Sequence, residues 1–382
     1  MVTTLLLIII YISFISLGIP DSLLGSAWPS MYGPLRAPPH YAGYIFMIAA
    51  GGTVISSILS ARVIRRFGTG LVTAVSVLMT ALALAGFSFS RVFIALCLCA
   101  VPLGLGAGSV DAALNNYVAL HYRARHMNWL HCFWGIGVST GPLVMSWCLI
   151  NYRSWHLGYR IIGVMQLCLA AVLFVSLPLW GKRNAQQTAA HEVPRVSRLL
   201  CIPGFPLALG SFFCYCAIET VTGLWGSSFL VMEKRIAPEI AARWIALYYT
   251  GITVGRFISG FVTVKLNNYQ MIRLGQAVTA AGIAALIVPF GNAALLPGLF
   301  LIGLGCAPVY PALIHETPAN FGAAFSQAAI GMQMAAAYVG TTFMPPLFGQ
   351  LAARMDFSVF PFFAGALLLL KIIMVETLRR KV

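Results

Sequence analysis

Apolar residues run along this chain in stretches of about 20 to 28, separated by short clusters of glycine, proline and charge. The alternation of a barrel strand is missing, and these lengths suit tilted helices that cross a hydrocarbon layer. Twelve spans are predicted, near residues 4–29, 41–64, 70–89, 92–121, 127–150, 159–180, 202–231, 239–265, 270–289, 293–314, 322–351 and 358–376. The longest polar stretch, "GKRNAQQTAAHEVPRVSR" from Gly181 to Arg198, follows the sixth span. It divides the chain into an N-terminal six-helix bundle over 1–181, a cytoplasmic linker over 182–199 and a C-terminal six-helix bundle over 200–382. The expected architecture is all-α and integral to a membrane.

The two halves echo one another. "GGTVISSILS" at Gly51 answers "GITVGRFISG" at Gly251 at an offset of 200. "GLGAG" at Gly104 answers "GLGCA" at Gly303 at 199, and "GSAW" at Gly25 answers "GSSF" at Gly226 at 201. Near-equal offsets from three different helices mark two pseudo-symmetric bundles, a transporter signature.

Composition narrows the class. Hydrophobic residues make up 60% of the 382 and charged ones 9%, with a mean hydropathy of +0.88. A soluble domain carries about 25% charged residues, so this chain would lack a surface to show water. The net charge of +15 points to helix ends and anionic lipid rather than to nucleic acid. With the N-terminus placed in the cytoplasm, fourteen Lys and Arg fall in inner loops and eight in outer ones, which predicts both termini inside. The opening "MVTTLLLIIIYISFISLGIPDS" lacks a basic start and a cleavage site, so it is expected to stay as the first helix. The nine cysteines contain no C-x-x-C and are read as small buried hydrophobes, with no metal site expected.

The polar residues inside the spans carry the chemistry. In "GLGAGSVDAALNN", Gly104, Gly108, Asp111 and Asn115 follow at intervals of 4, 3 and 4 and form one helical stripe. Asp111 lies ten residues from the inner end of its span, about 15 Å deep and near the bilayer midplane. A carboxylate at that depth costs at least about 2.5 kcal/mol, and a group whose charge depends on local water is suited to carrying a proton. Asp21 and Glu219 each stand 17 residues into the first span of their half. Asp21, Asp111 and Glu219 are therefore the candidate proton-coupling groups. Candidates for solute binding are Asn115 and Asn116 on the fourth span, His131 and Trp134 on the fifth, and Trp225 on the seventh. Tyr310, on the tenth, and Gln327, Gln333 and Tyr338, on the eleventh, complete the set. Gln333 matches His131 at an offset of 202, which suggests one shared cavity. Arg256 is read as an ion-pair partner between helices.

Soluble catalysis finds no support. "GLGAGS" fails the G-x-G-x-x-G pattern, and "HETPA" at His315 lacks the second histidine of a zinc protease. There is no Walker motif, so any transport would draw on an ion gradient or run downhill.

On these features the chain resembles the major facilitator superfamily. That family's loop between second and third helices reads glycine, then Asp-Arg-x-Gly-Arg-Arg. Here the loop is "ARVIRRFGTG": Arg66, Phe67 and Gly68 match, Arg65 replaces the acid, and Thr69 and Gly70 replace the basic pair. Arg65, Arg66 and Gly68 are the candidate gating loop. The stretches "GLGAGSVDAALNN", "RRFGTG", "HMNWLHCFWGIG" and "AIETVTGLWGSS" are similar to fucose-permease-like sugar transporters and to their uncharacterised bacterial and yeast relatives. The resemblance implies two bundles with a central solute site. It also implies that acids on the first and fourth helices, here Asp21 and Asp111, handle proton and sugar, Asp111 being one carbon shorter than the family's glutamate.

The expected function is proton-coupled symport of a sugar or similar small polar metabolite in a bacterial inner membrane. It would run by alternating access in a monomer, with no cofactor and no nucleic acid. The alternatives are a proton-coupled drug or metabolite exporter, with Met165, Met332 and Met334 in its cavity, and a sodium-coupled sugar carrier or lipid-handling protein on the same scaffold.

Overall fold

The apolar runs fold as helices because, without water, each backbone N–H and C=O must be satisfied within its own segment. The computed structural model describes residues 2–122, 124–180, 200–263, 265–288 and 292–381. Six helices form the first half: α1 Val2–Met31, α2 Ala42–Phe67, α3 Thr69–Phe89, α4 Phe93–His121, α5 Ala124–Tyr152 and α6 Trp155–Val175. The second half holds α7 Phe205–Met232, α8 Pro238–Val262, α9 Asn268–Ile287, α10 Leu295–Cys306, α11 Val309–Phe321, α12 Ala323–Met355 and α13 Phe360–Lys381. Among the described residues there is no strand, and eleven stretches are long and apolar enough to cross a membrane. The linker over 182–199 lies outside the described residues.

Two boundaries differ from the sequence reading for local reasons. The tenth span is two helices, because the chain turns at Ala307 and Pro308 before α11 starts. Pro308 has no N–H to donate back to residue 304, and its ring crowds that carbonyl. The sixth span ends early at Val175 and closes in a 3₁₀ turn over Leu177–Trp180. Gly68 alone joins α2 to α3, at φ 81° and ψ 154°, a region that only glycine enters at low cost. Further on, Asn267 and Gln270 exchange side-chain-to-backbone bonds of 2.9 and 3.0 Å and start α9 with a capping box.

The chain forms two compact units, Met1–Gln186 with Leu230–Ala246, and Gln187–Phe229 with Leu247–Val382. Within the first, α1 packs on α5, α2 on α4 and α3 on α6. Gln166 of α6 fastens its end of the bundle: its Oε1 accepts from Ser16 Oγ at 2.7 Å and its Nε2 donates to the Ser16 carbonyl at 2.6 Å. Thr80 Oγ1 adds a third bond to Oε1 at 3.4 Å. All three residues are buried. Gln166→Leu is expected to cost about 1–3 kcal/mol, because it strands buried polar groups; the unfolding midpoint in detergent reads it.

Glycines set the helix spacing, and their contacts expose the repeat. A β-carbon added at Gly104 would collide with the Ala49 carbonyl, and one at Gly303 with the Tyr248 carbonyl. Gly52 faces Val101 O and Leu105 N, as Gly251 faces Phe300 O and Leu304 N. Gly106 faces Ser76 O and Thr80, as Gly305 faces Gly275 O and Thr279. Every pair is offset by 199. The sequence match of Gly51 to Gly251 is therefore one residue out of register: Gly52 is the counterpart, and Gly51 meets nothing within 4 Å.

Candidate functional site

The first unit's polar site begins with the approach of α1 and α5. Gly18 lies against Trp134 O, and Gly137 against Ile15 O, close enough for a side chain of one helix to reach the other. Trp134 Nε1 donates to Asp21 Oδ2 at 3.0 Å. From α4, Asp111 Oδ1 accepts from Asn115 Nδ2 at 2.8 Å, and the same amide donates to the Asp111 carbonyl at 3.0 Å. The helical stripe read from the sequence thus closes on itself, with Asn115 committed to holding the carboxylate. Both acids belong to the same unit, Asp21 on α1 and Asp111 on α4. Asp21 and His131 are exposed, while Asp111, Asn115 and Trp134 are half-buried. His131 meets the Phe14 ring edge-on at 6.0 Å. Behind α4, Thr53 Oγ1 donates to Gly104 O at 3.2 Å and Ser57 Oγ to Gly108 O at 3.3 Å, which fixes the height of the stripe.

The repeat places a counterpart in the second unit. Gly340 of α12 lies against Phe213 O of α7, as Gly137 of α5 lies against Ile15 O of α1. Ile15 matches Phe213 at an offset of 198, and the same offset carries Asp21 onto Glu219. The offset of 199 carries Asp111 onto Tyr310 and Ser57 onto Arg256. Glu219 pairs with Arg256, Oε1 to Nη2 3.8 Å, with side chains 17% and 21% exposed. Tyr248 donates to the Glu219 carbonyl at 2.9 Å and ties α7 to α8 at this level. Tyr310 lies 5.8 Å from the Tyr215 ring and donates to Met334 Sδ at 2.9 Å.

Burial sorts the remaining candidates. Trp225 is fully buried, donates to Pro345 O at 2.8 Å and packs on Phe348 and Phe357. Gln333 is 1% exposed and accepts from Thr317 Oγ1 at 2.9 Å. Both side chains are buried among neighbours of their own half, Trp225 against Phe348 and Phe357 and Gln333 against Thr317. Tyr338 is half-buried on α12. The side chains of Asn116 and Gln327 lie outside the described residues. In the loop motif, Arg65 and Arg66 are exposed and the Arg66 guanidinium stands 5.4 Å from the Phe67 ring. Lys371 of α13 is a residue the sequence reading left aside. It is fully buried, with Nζ 5.7 Å from the Tyr215 ring. Its signal was present in the sequence: a lone lysine in the middle of an apolar run.

Comparison with known proteins decides the class. The family profile of the Major Facilitator Superfamily matches residues 10–314. The chain belongs to the Major Facilitator Superfamily. It is a multi-pass membrane transporter for a small molecule, not an enzyme. The glucose/mannose transporter GlcP of Bacillus subtilis is 21% identical over 317 residues, 79% of this chain and 77% of that protein. The cis,cis-muconate transport protein of Acinetobacter baylyi is 22% identical over 327 residues, 82% of this chain and 78% of the other. Among solved structures, the nucleoside transporter NupG superposes with a TM-score of 0.82 at 14% identity, over 97% of this chain and 98% of that one. The superfamily fold thus extends over both halves.

Proposed function

We propose that this transporter is a proton-coupled symporter of a small, hydroxyl-rich polar solute, a sugar in the first instance. It works by alternating access in a bacterial inner membrane with both termini in the cytoplasm. The observation that carries the reading is the Asp21–Asp111 arrangement: two carboxylates of one unit, each at least ten residues from either end of its spanning helix and each holding a hydrogen-bond donor. Carboxylates at this depth favour taking up a proton, because moving a bare charge through hydrocarbon is expensive. Proton and solute together remove that cost, so the loaded carrier turns over more readily than the half-loaded one. Trp134 and Asn115 donate hydrogen bonds to the two carboxylates. They hold the acids in register without supplying a charge of their own. A relative named for glucose and mannose and another named for cis,cis-muconate have a small polar solute in common. The orientation rests on the excess of Lys and Arg in the loops assigned to the cytoplasm.

The test uses purified protein in proteoliposomes with an entrapped pH-sensitive dye and no imposed gradient. Hexoses, deoxyhexoses, polyols and the acids derived from them are added one at a time. Proton entry on addition of a solute is the expected result. Solute entry that requires sodium and moves no proton would overturn the coupling. Proton exit driven by lipophilic cations would favour export instead.

A further inference from the structure

The two units differ in the charged residues nearest the middle of their helices. At least six residues from either end of their helices, the described charged side chains of the first unit are Asp21 and Asp111, two carboxylates with no lysine or arginine. In the second unit they are Glu219, Arg256 and Lys371, two basic groups with one carboxylate. The internal repeat makes the contrast sharper. Where the first unit has Ser57 and Asp111, the second has Arg256 and Tyr310. The acid on the first helix of each half is kept, while its neighbourhood changes from anionic to cationic.

Two further observations give the contrast a direction. Lys371 Nζ is buried without a hydrogen-bond partner among the described residues, and it lies against Tyr215, which also faces Tyr310. Glu219 forms its ion pair with Arg256, and Lys371 has no carboxylate within 4.0 Å among the described residues. The Glu219–Arg256 contact of 3.8 Å is longer than a charge-assisted hydrogen bond of about 2.7–2.9 Å, and both side chains are partly exposed. A planar guanidinium is built to take a second carboxylate in bidentate fashion. Arginine keeps its charge even when buried, so a guanidinium at this depth suits an anion that arrives and leaves.

We infer that the transported solute carries an acidic group, and that Arg256 binds its carboxylate beside Glu219. This rests on the symporter reading and narrows its solute to small hydroxylated carboxylic acids, the aldonate and uronate type, ahead of neutral hexoses. Arg256 contacts the solute; Lys371 stands behind Tyr215 and contributes its charge when protonated. In this arrangement the acids of the first unit take the proton and the second unit takes the anion, so an anionic solute and its proton enter as a neutral pair.

The experiment compares gluconate and glucuronate with glucose, as thermal stabilisation of the detergent-purified protein and as uptake in proteoliposomes. The wild type is expected to prefer the acids by about tenfold or more in half-saturating concentration. Glu219→Gln combined with Arg256→Gln removes both members of the ion pair together, and it should abolish that preference. Arg256→Lys should keep part of it. Lys371→Met should weaken acid binding several-fold and leave the protein folded, because a linear apolar side chain fills the same buried space. Equal response to acid and hexose, or no response to either, overturns the inference. So does an acid preference that survives in the double variant. Binding of the acids without any proton movement would instead sink the symport reading and leave Arg256 as the anion site.

Discussion

Asp21→Asn together with Asp111→Asn is expected to abolish accumulation while leaving exchange intact. Asparagine keeps the size of each side chain and one carbonyl oxygen. Trp134 Nε1 therefore still has an acceptor at residue 21, and Asn115 Nδ2 one at residue 111, replacing the present bonds of 3.0 and 2.8 Å. What the pair of substitutions removes is the capacity to take up and release a proton. One unit of pH gradient is worth about 1.36 kcal/mol per coupled proton, which supports about tenfold accumulation. In proteoliposomes with that gradient the wild type should concentrate its solute, and the double variant should level at a ratio of about 1. Counterflow, in which labelled solute exchanges for unlabelled solute inside, needs no proton release and should persist. Continued accumulation by the double variant would remove both acids from the coupling step. Loss of counterflow as well would place them in solute binding.

The second large effect is expected at two glycines related by the internal repeat. Gly104→Ala and Gly303→Ala each drive a methyl group into a backbone carbonyl of the neighbouring helix, Ala49 in one unit and Tyr248 in the other. A carbonyl within a helix cannot rotate aside as a side chain can, so the helices must separate. Overpacking of this kind costs about 1–3 kcal/mol and sometimes more, and these sites belong at the upper end. The controls are Gly51→Ala and Gly331→Ala, where an added β-carbon meets nothing within 4 Å and helix propensity favours alanine by up to about 1 kcal/mol. Unfolding midpoints in detergent should fall for the first two and hold or rise for the second two. Similar behaviour of all four would mean that the α2–α4 and α8–α10 contacts are not tight.

Much of this was legible in the sequence because hydrocarbon imposes a strict rule on the backbone. Span number, the doubling of the bundle and the rarity of deep charges all follow from hydropathy and spacing. The register of the repeat was not, because the tandem glycines at Gly51 and Gly52 allow two alignments, and only a backbone contact chooses between them. Burial was equally hidden: Trp225 and Gln333 stand out by residue type, and only the fold shows that both side chains are enclosed. Arg256 and Lys371 were visible as isolated charges. Their grouping around Glu219 and Tyr215 depends on contacts among α7, α8 and α13, which no local pattern encodes.

The backbone contacts at Gly104, Gly106, Gly303 and Gly305 also bear on how stability varies with temperature. Helices already in hydrocarbon lose little apolar contact with water when they come together, so their cohesion arises from close fit and short polar contacts. The heat-capacity change that bends the stability curve of a soluble protein comes from hydrating apolar surface. Separation of these helices within a bilayer should therefore give a nearly straight curve, with no maximum near room temperature and no loss of structure on cooling.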